Sequence, residues 1–317
     1  MSSQKKILVI GSNGQIGTVL TKKLGQKFGF ENVIGSDLRM PDAPTKFIFE
    51  ECSVLNKEKL EDIIYRHKIS DVYLLAAYLS AKGEKNIDKA WDLNMTGLLN
   101  VLNFAKQKKI QKIFWPSSIA VFGPSTPKNN VQQYAITEPT TIYGVSKLAG
   151  ESLCHYYHNK FGIDVRSIRY PGLIGWDSMP GGGTTDYAVD IFHEALKNQE
   201  YTCFLSKDRT LPMMYMDDAI KATILIMEAQ ANKIQIRTSY NLSACHFSPN
   251  ELAEEIKKYI PSFQITYKPD DRDQLAKGWP ASINDKHARN DWGWKPNFNL
   301  SQMVSDIVLN LRNRYKK

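Results

Sequence analysis

Two short runs hold side chains able to move a proton. In PTTIYGVSKLAGE, Tyr143 and Lys147 stand four positions apart, a spacing that puts both on one face of a helix and lays an ammonium beside a phenol. A tyrosine of ordinary pKa, about 10, is a poor base at neutral pH, but a nearby cation favours the phenolate and lowers that value. The pair is therefore expected to accept a proton. Upstream, KIFWPSSIAVFG ends in Ser117 and Ser118, where a hydroxyl can hydrogen-bond a substrate oxygen as its proton leaves. Taken singly, each residue has a bland explanation: a packed tyrosine, a surface lysine, a serine starting a loop. Their joint occurrence, in order, is far more specific.

A third run precedes both. KILVIGSNGQIGTVL reads as a strand, a turn with Gly11, Gly14 and Gly17, and a helix start. The first glycine permits the tight turn, the second lets amides reach a pyrophosphate, and the third lets helix and strand pack closely. A diphosphate would sit on the helix N-terminus, where unpaired N–H groups favour negative charge. Asp37 ends the second predicted strand twenty residues after Gly17, the place for a carboxylate that accepts from a ribose diol and repels a 2′-phosphate. That favours NAD over NADP, although Arg39 is close enough in sequence to hold a phosphate.

A fourth run, PGGGTTDYAVDIF (180–192), places three glycines before two threonines, an aspartate and an amphipathic helix. Consecutive glycines lose more backbone freedom on folding than other residues, so they mark either a hinge or a close approach. Ala188, Ile191, Phe192, Ala195 and Leu196 form an apolar stripe, which puts Thr184 or Thr185 at the N-cap and Asp186 in the first turn. Backbone amides and threonine hydroxyls there are expected to receive a substrate carboxylate.

The elements that must carry these residues follow from periodicity. Short Val/Ile/Leu runs at 6–10, 32–36, 47–52, 71–75, 112–117 and 164–170 alternate with helical patterns at 15–28, 57–67, 90–106 and 142–161. That rhythm predicts an α/β, Rossmann-type doubly wound parallel sheet with helices on both faces. After about residue 170 the spacing loosens, with helices expected at 185–198, 217–229, 249–259 and 300–314. The division is therefore a nucleotide-binding domain over 1–172 and, over 173–317, mainly a smaller C-terminal α/β substrate lobe whose chain can return to the first domain.

With 317 residues and 42% apolar content the chain can bury a large core. Its longest apolar runs, such as VYLLAAYL (72–79), are far shorter than the roughly 20 residues of a membrane span. Five residues before the first strand leave no room for a leader, and four scattered cysteines lack both a disulfide framework and a CxxC pair. A cytoplasmic protein without membrane attachment is expected. The net charge of +8 is spread along the chain, concentrated only in the terminal RNRYKK, which reads as a solvated surface and not as a nucleic-acid groove. No cluster suggests a metal.

The glycine turn, Ser-Ser-x-x-Val-Phe-Gly and Tyr-x-x-x-Lys together resemble the extended short-chain dehydrogenase/reductase superfamily over nearly the whole chain. The further runs RYPGLIGWDSMPGGGTTDYAVDIF, LPMMYMDDAI and ARNDWGW are similar to its NAD-dependent L-threonine 3-dehydrogenases. That resemblance implies oxidation of the 3-hydroxyl of L-threonine to 2-amino-3-oxobutyrate, a β-keto acid consumed by a CoA ligase. It implies catalysis by Tyr143, Lys147 and Ser118. It places NAD on Gly11, Asn13, Gly14, Gln15, Ile16, Gly17, Asp37, Leu38, Arg39, Ser53, Val54, Leu75, Ala76, Ala77, Asn94, Tyr143, Lys147, Tyr170, Gly172 and Leu173. Substrate falls to Ser80, Ser118, Tyr143, Gly183, Thr184, Thr185 and Trp279. A homodimer pairing the helices that begin near residues 90 and 142 is also implied. One position departs: relatives carry an Asp for the adenine amino group near the third strand, where this chain has Ser53, so a looser grip on NAD is expected. The competing readings are a nucleotide-sugar epimerase or dehydratase of the same superfamily, and an NAD-sensing or RNA-associated binding protein on the same fold.

Overall fold

The computed structural model describes residues 5–177, 179 and 181–316; the first four residues, on which the absence of a leader was argued, and Pro180 of the glycine run lie outside them. Six parallel strands form the central sheet in the order Ile48–Glu51, Val33–Asp37, Ile7–Ile10, Asp71–Leu74, Lys112–Phe114, Asp164–Arg166. The order reverses beside Ile7–Ile10, so the crevice for a nucleotide opens at its carboxyl end, beyond Gly11. Alternation along the strands feeds two cores. Leu8, Ile10, Val72, Leu74 and Ile113 pack under the helices Lys57–Arg66, Gly97–Lys106 and Ile142–Phe161, whereas Ile7, Val9, Tyr73 and Phe114 pack under Gln15–Phe28 and Met216–Glu228.

The last of those helices comes from beyond residue 172. Met216, Ala219, Ile220 and Trp294 share a core with Ile7, Val9 and Leu20, so the chain returns to the nucleotide domain. A third core, built from Tyr187, Ile191, Phe192, Leu252, Ile256, Val304, Ile307 and Leu311, also takes in Ile119, Val121, Phe122 and Val131 from the first half of the chain. Among the described residues no helix is long and apolar enough to cross a membrane.

Three expected elements differ. The 164–170 strand is two: Asp164–Arg166 closes the main sheet, and Ile168–Tyr170 pairs with Ser117–Ser118 on one side and Tyr240–Asn241 on the other. The break allows the Ser117–Ser118 strand a partner of its own. The helix predicted from residue 90 starts at Ile87 and contains a π turn at Asp92–Thr96, a bulge common at functional sites. The helix predicted from Thr185 is Tyr187–Lys197, and its N-cap is Asp186, not a threonine.

Candidate active site

The glycine turn is shaped by close approach. Gly11 has φ +89°, and a Cβ there would lie 2.7 Å from the Ala76 nitrogen; at Gly17 it would lie 2.1 Å from the Gly11 carbonyl oxygen. Gly14 caps the helix Gln15–Phe28 with no side chain over its end and no acidic residue in the first turn. The helix N-terminus is thus left uncovered by side chains, suited to a diphosphate. Asp37 closes the turn before it: its carboxylate accepts the Asn13 N–H (2.9 Å) and the Leu38 N–H (2.7 Å), while the Asn13 amide donates to the Arg39 carbonyl (2.7 Å). Asn13, Gly14, Asp37 and Arg39 border a cleft of about 940 Å³. Leu38 is exposed and Val54 buried; the Ser53 hydroxyl accepts the Leu55 N–H at 3.2 Å, so it is engaged by its own turn.

Farther in, the strand end and the helix meet. Thr141 caps the helix Ile142–Phe161 by accepting the Gly144 N–H at 3.0 Å. A Cβ on Gly144 would stand 2.2 Å from the Ala120 oxygen, so the helix presses on the turn just after Ser118. Ser118 itself accepts the Ala120 N–H. Ser118, Tyr143 and Lys147 face one cavity of about 150 Å³, together with Gln15, Ile16, Leu75, Ala77, Ser80, Tyr170, Gly172, Leu173, Gly183, Thr184, Thr185 and Trp279. The buried amide nitrogen of Gln15 has no partner among the described residues. Such an orphan is costly when nothing binds it, and it marks where a ligand's acceptor fits.

The electrostatics differ from the sequence expectation. Burial pushes the Tyr143 phenol up to about 12, with the Ser118 hydroxyl drawing it partly back. Burial brings Lys147 down to about 7, opposed by its neighbours Cys154 and Glu151. The Lys147 Nζ donates to the Pro116 carbonyl (2.7 Å) and lies 4.5 Å from the Trp115 ring centre and 5.5 Å from that of Tyr143. Desolvation thus works against the charged form of both groups, the phenolate and the ammonium. The i, i+4 argument found the residues but not the medium around them.

The glycine run crosses the mouth. Gly182 has φ +95°, and Cβ atoms on Gly181 and Gly182 would meet Leu79 at 3.4 Å and Lys82 at 3.0 Å. Ser80 and Thr184 share a hydrogen bond between hydroxyls at 3.3 Å. Gly182 is thus required by its positive φ, with Lys82 close beside it, whereas Gly181 meets Leu79 only at ordinary contact distance. The Gly183 amide, among the groups expected to meet substrate, is already taken: it and the Gly182 amide both donate to Asp186 at 2.7 Å. Asp186 is 8% exposed and lines the cavity. Burial raises its pKa, and bonds from the Gly183, Gly182 and Gly181 amides counter the rise. This end of the cavity presents a carboxylate, suited to an ammonium. Its signal in the sequence was an acidic residue directly after Thr184–Thr185, read as helix decoration.

Two further expectations change in kind. Asn94 does not border the cavity: its side chain accepts the Tyr78 N–H (2.8 Å) and donates to Ser146 (3.0 Å), tying the 75–80 loop to the Tyr143 helix. The Tyr170 hydroxyl is bonded to Thr223, which leaves its backbone for the cavity. Ala76 backs Gly11, and Trp279 is 7% exposed in the core of the second lobe. No cluster of three metal-ligating side chains occurs among the described residues.

Known proteins share this arrangement. Residues 7–243 match the NAD dependent epimerase/dehydratase family. The bovine mitochondrial L-threonine 3-dehydrogenase is 44% identical over 97% of this chain and 83% of its own. The holo form of a GalE-like L-threonine dehydrogenase from Cupriavidus necator is 52% identical, with a TM-score of 0.95 over 96% of this chain and 99% of that one; its apo form superposes at 0.84 over 97% and 99%, at 48% identity. A monomeric L-threonine 3-dehydrogenase from a metagenome, in its apo form, is 48% identical with a TM-score of 0.94 over 97% and 99%. Sequence and fold thus agree along essentially the whole chain, and the protein belongs to the extended short-chain dehydrogenase/reductases of the NAD dependent epimerase/dehydratase family, on its L-threonine 3-dehydrogenase branch.

Proposed function

We propose that the cavity oxidises the 3-hydroxyl of L-threonine with NAD, giving 2-amino-3-oxobutyrate and NADH. The observation that carries this reading is the cavity itself, which brings Tyr143, Ser118 and Lys147 together with Asp186, Thr185 and the hydrogen-bonded Ser80 and Thr184. A zwitterionic amino acid needs both sets of groups. Asp186 receives the ammonium, the hydroxyls donate to the carboxylate, and the 3-hydroxyl is left between Ser118 and Tyr143. Tyr143 takes its proton, Ser118 orients it, and a positive Lys147 stabilises the phenolate while holding the ribose beside it. Bound there, NAD would supply the acceptor for the hydride of the threonine Cβ. Gly11, Gly14 and Gly17 would cradle its diphosphate and Asp37 would hold its adenosine ribose, while Gln15 offers a donor that has no partner among the described residues.

An NAD-sensing protein has no need of the buried tyrosine and lysine. Residues 1–172 form the nucleotide part and 173–317 most of the substrate part. Exposed Trp91, Val145, Tyr156 and Phe161, on and beside the helix faces outside the cavity, support a homodimer, and the reduced cysteines a cytoplasmic setting. The β-keto acid product calls for an enzyme that cleaves it by thiolysis, the CoA ligase class.

The test is NADH formation with L-threonine, L-serine, D-threonine and UDP-galactose offered separately. L-threonine should exceed every other substrate by at least about tenfold, the discrimination that misplaced polar groups impose. Activity with UDP-galactose alone would overturn the reading.

A further inference from the structure

Behind the cavity lies a buried ion pair that the chemistry above does not use. Glu151, 1% exposed, stands one helical turn after Lys147. Its carboxylate accepts from the Ser117 hydroxyl at 2.6 Å and from Arg169 at 2.8 and 2.7 Å. Arg169, 5% exposed, also donates to the Gln133 carbonyl and the Asn241 side chain, both at 3.0 Å. Arg169 pairs with Ser117 and with Asn241 in the small sheet, and the next register pair is Ser118 with Tyr170. The ion pair thus joins three things: the helix bearing Tyr143 and Lys147, the strand aiming Ser118, and a strand that follows the second lobe's first helices. A buried ion pair is weak support for stability, so its place calls for another reason.

We infer that Glu151 and Arg169 are positioning residues for the proton-transfer site, setting the charge felt by Lys147 and the direction of Ser118. The inference rests on the reading that Lys147 acts in that transfer. The groups facing Lys147 are few: Tyr143, Glu151 and Cys154 from its own helix, the Pro116 carbonyl and Trp115 ring from the adjoining strand end, Arg169 behind them, and Asp186 across the cavity. Burial holds the Cys154 thiol neutral. Glu151 is therefore the negative charge on the Lys147 side, and Arg169 balances it.

The two single variants carry opposite signs. Glu151→Gln removes the negative charge and leaves the guanidinium uncompensated, so the lysine loses its proton sooner. The alkaline limb of the kcat/KM profile for threonine should move down by about one pH unit. Arg169→Met leaves the carboxylate unbalanced, and the same limb should move up by a similar amount. A purely structural pair would lower activity in both without opposite shifts; limbs that coincide with the native one, or move the same way, overturn the inference. Should either single variant fail to fold, Glu151→Asp keeps the charge but draws it back from Ser117. It should lower kcat about tenfold with KM for NAD unchanged, and native kcat would overturn the inference. Lys147→Met, assayed alongside, separates the two claims: if it keeps full turnover, the reading of Lys147 itself fails.

Discussion

Tyr143 and Lys147 show why a motif is only half of a site. Their spacing was readable, and so was the phenol's need for a cation; the direction in which burial moves both groups was not, because the medium is supplied by Trp115, Pro116 and residues of the second lobe. Lys147, brought from an ordinary 10.5 to about 7, binds fewer protons when folded than unfolded between those values. Stability therefore rises with pH across that window, and the cost of the buried ammonium is fully present below pH 7. Lys147→Met should accordingly raise the unfolding free energy by up to about 4 kcal/mol at pH 6, the gain fading as pH approaches 10. Thermal unfolding of both proteins at several pH values measures it, and a gain independent of pH would contradict the account. Tyr143→Phe, in contrast, should cut turnover by about a hundredfold or more while NAD affinity, read by fluorescence titration, stays near native.

Among the elements, the glycine run was legible as a place of hinge or close approach, and Gly182, with its positive φ and Lys82 at 3.0 Å, is where the backbone needs a glycine. What could not be read was the capture of its amides by Asp186, since that depends on where the helix starts, two residues later than its apolar stripe implied. The consequence reverses the charge preference of this end of the cavity. Asp186→Asn should raise the threonine KM by about tenfold or more, the scale of a charge-assisted hydrogen bond, and Thr185→Ala by less. In both, KM for NAD should hardly move. Equal effects on the two KM values would mean that the run is a plain hinge. The π turn at Asp92–Thr96 was equally hidden: a helix pattern continues through it, and only Asn94's bonds to Tyr78 and Ser146 reveal its use.

At the scale of the whole molecule, the alternation of strand and helix through residue 166 was plain because each buried parallel strand is a short apolar run bounded by turns. The second half was harder to place. Met216–Glu228 and Trp294 pack on the first domain although the chain reaches them through the second, a return that no local pattern announces. Its effect is to tie the late helix to the first sheet, while Gly183, Thr184, Thr185 and Asp186 line the cavity. All of this serves one event, the departure of hydrogen from the threonine Cβ. L-threonine carrying deuterium at C3, incubated with the protein and NAD, tests that event directly through the mass of the recovered cofactor. The account predicts one deuterium in the NADH and none when the label is at C2; label arriving from C2, or unlabelled NADH from the C3-labelled substrate, would contradict it.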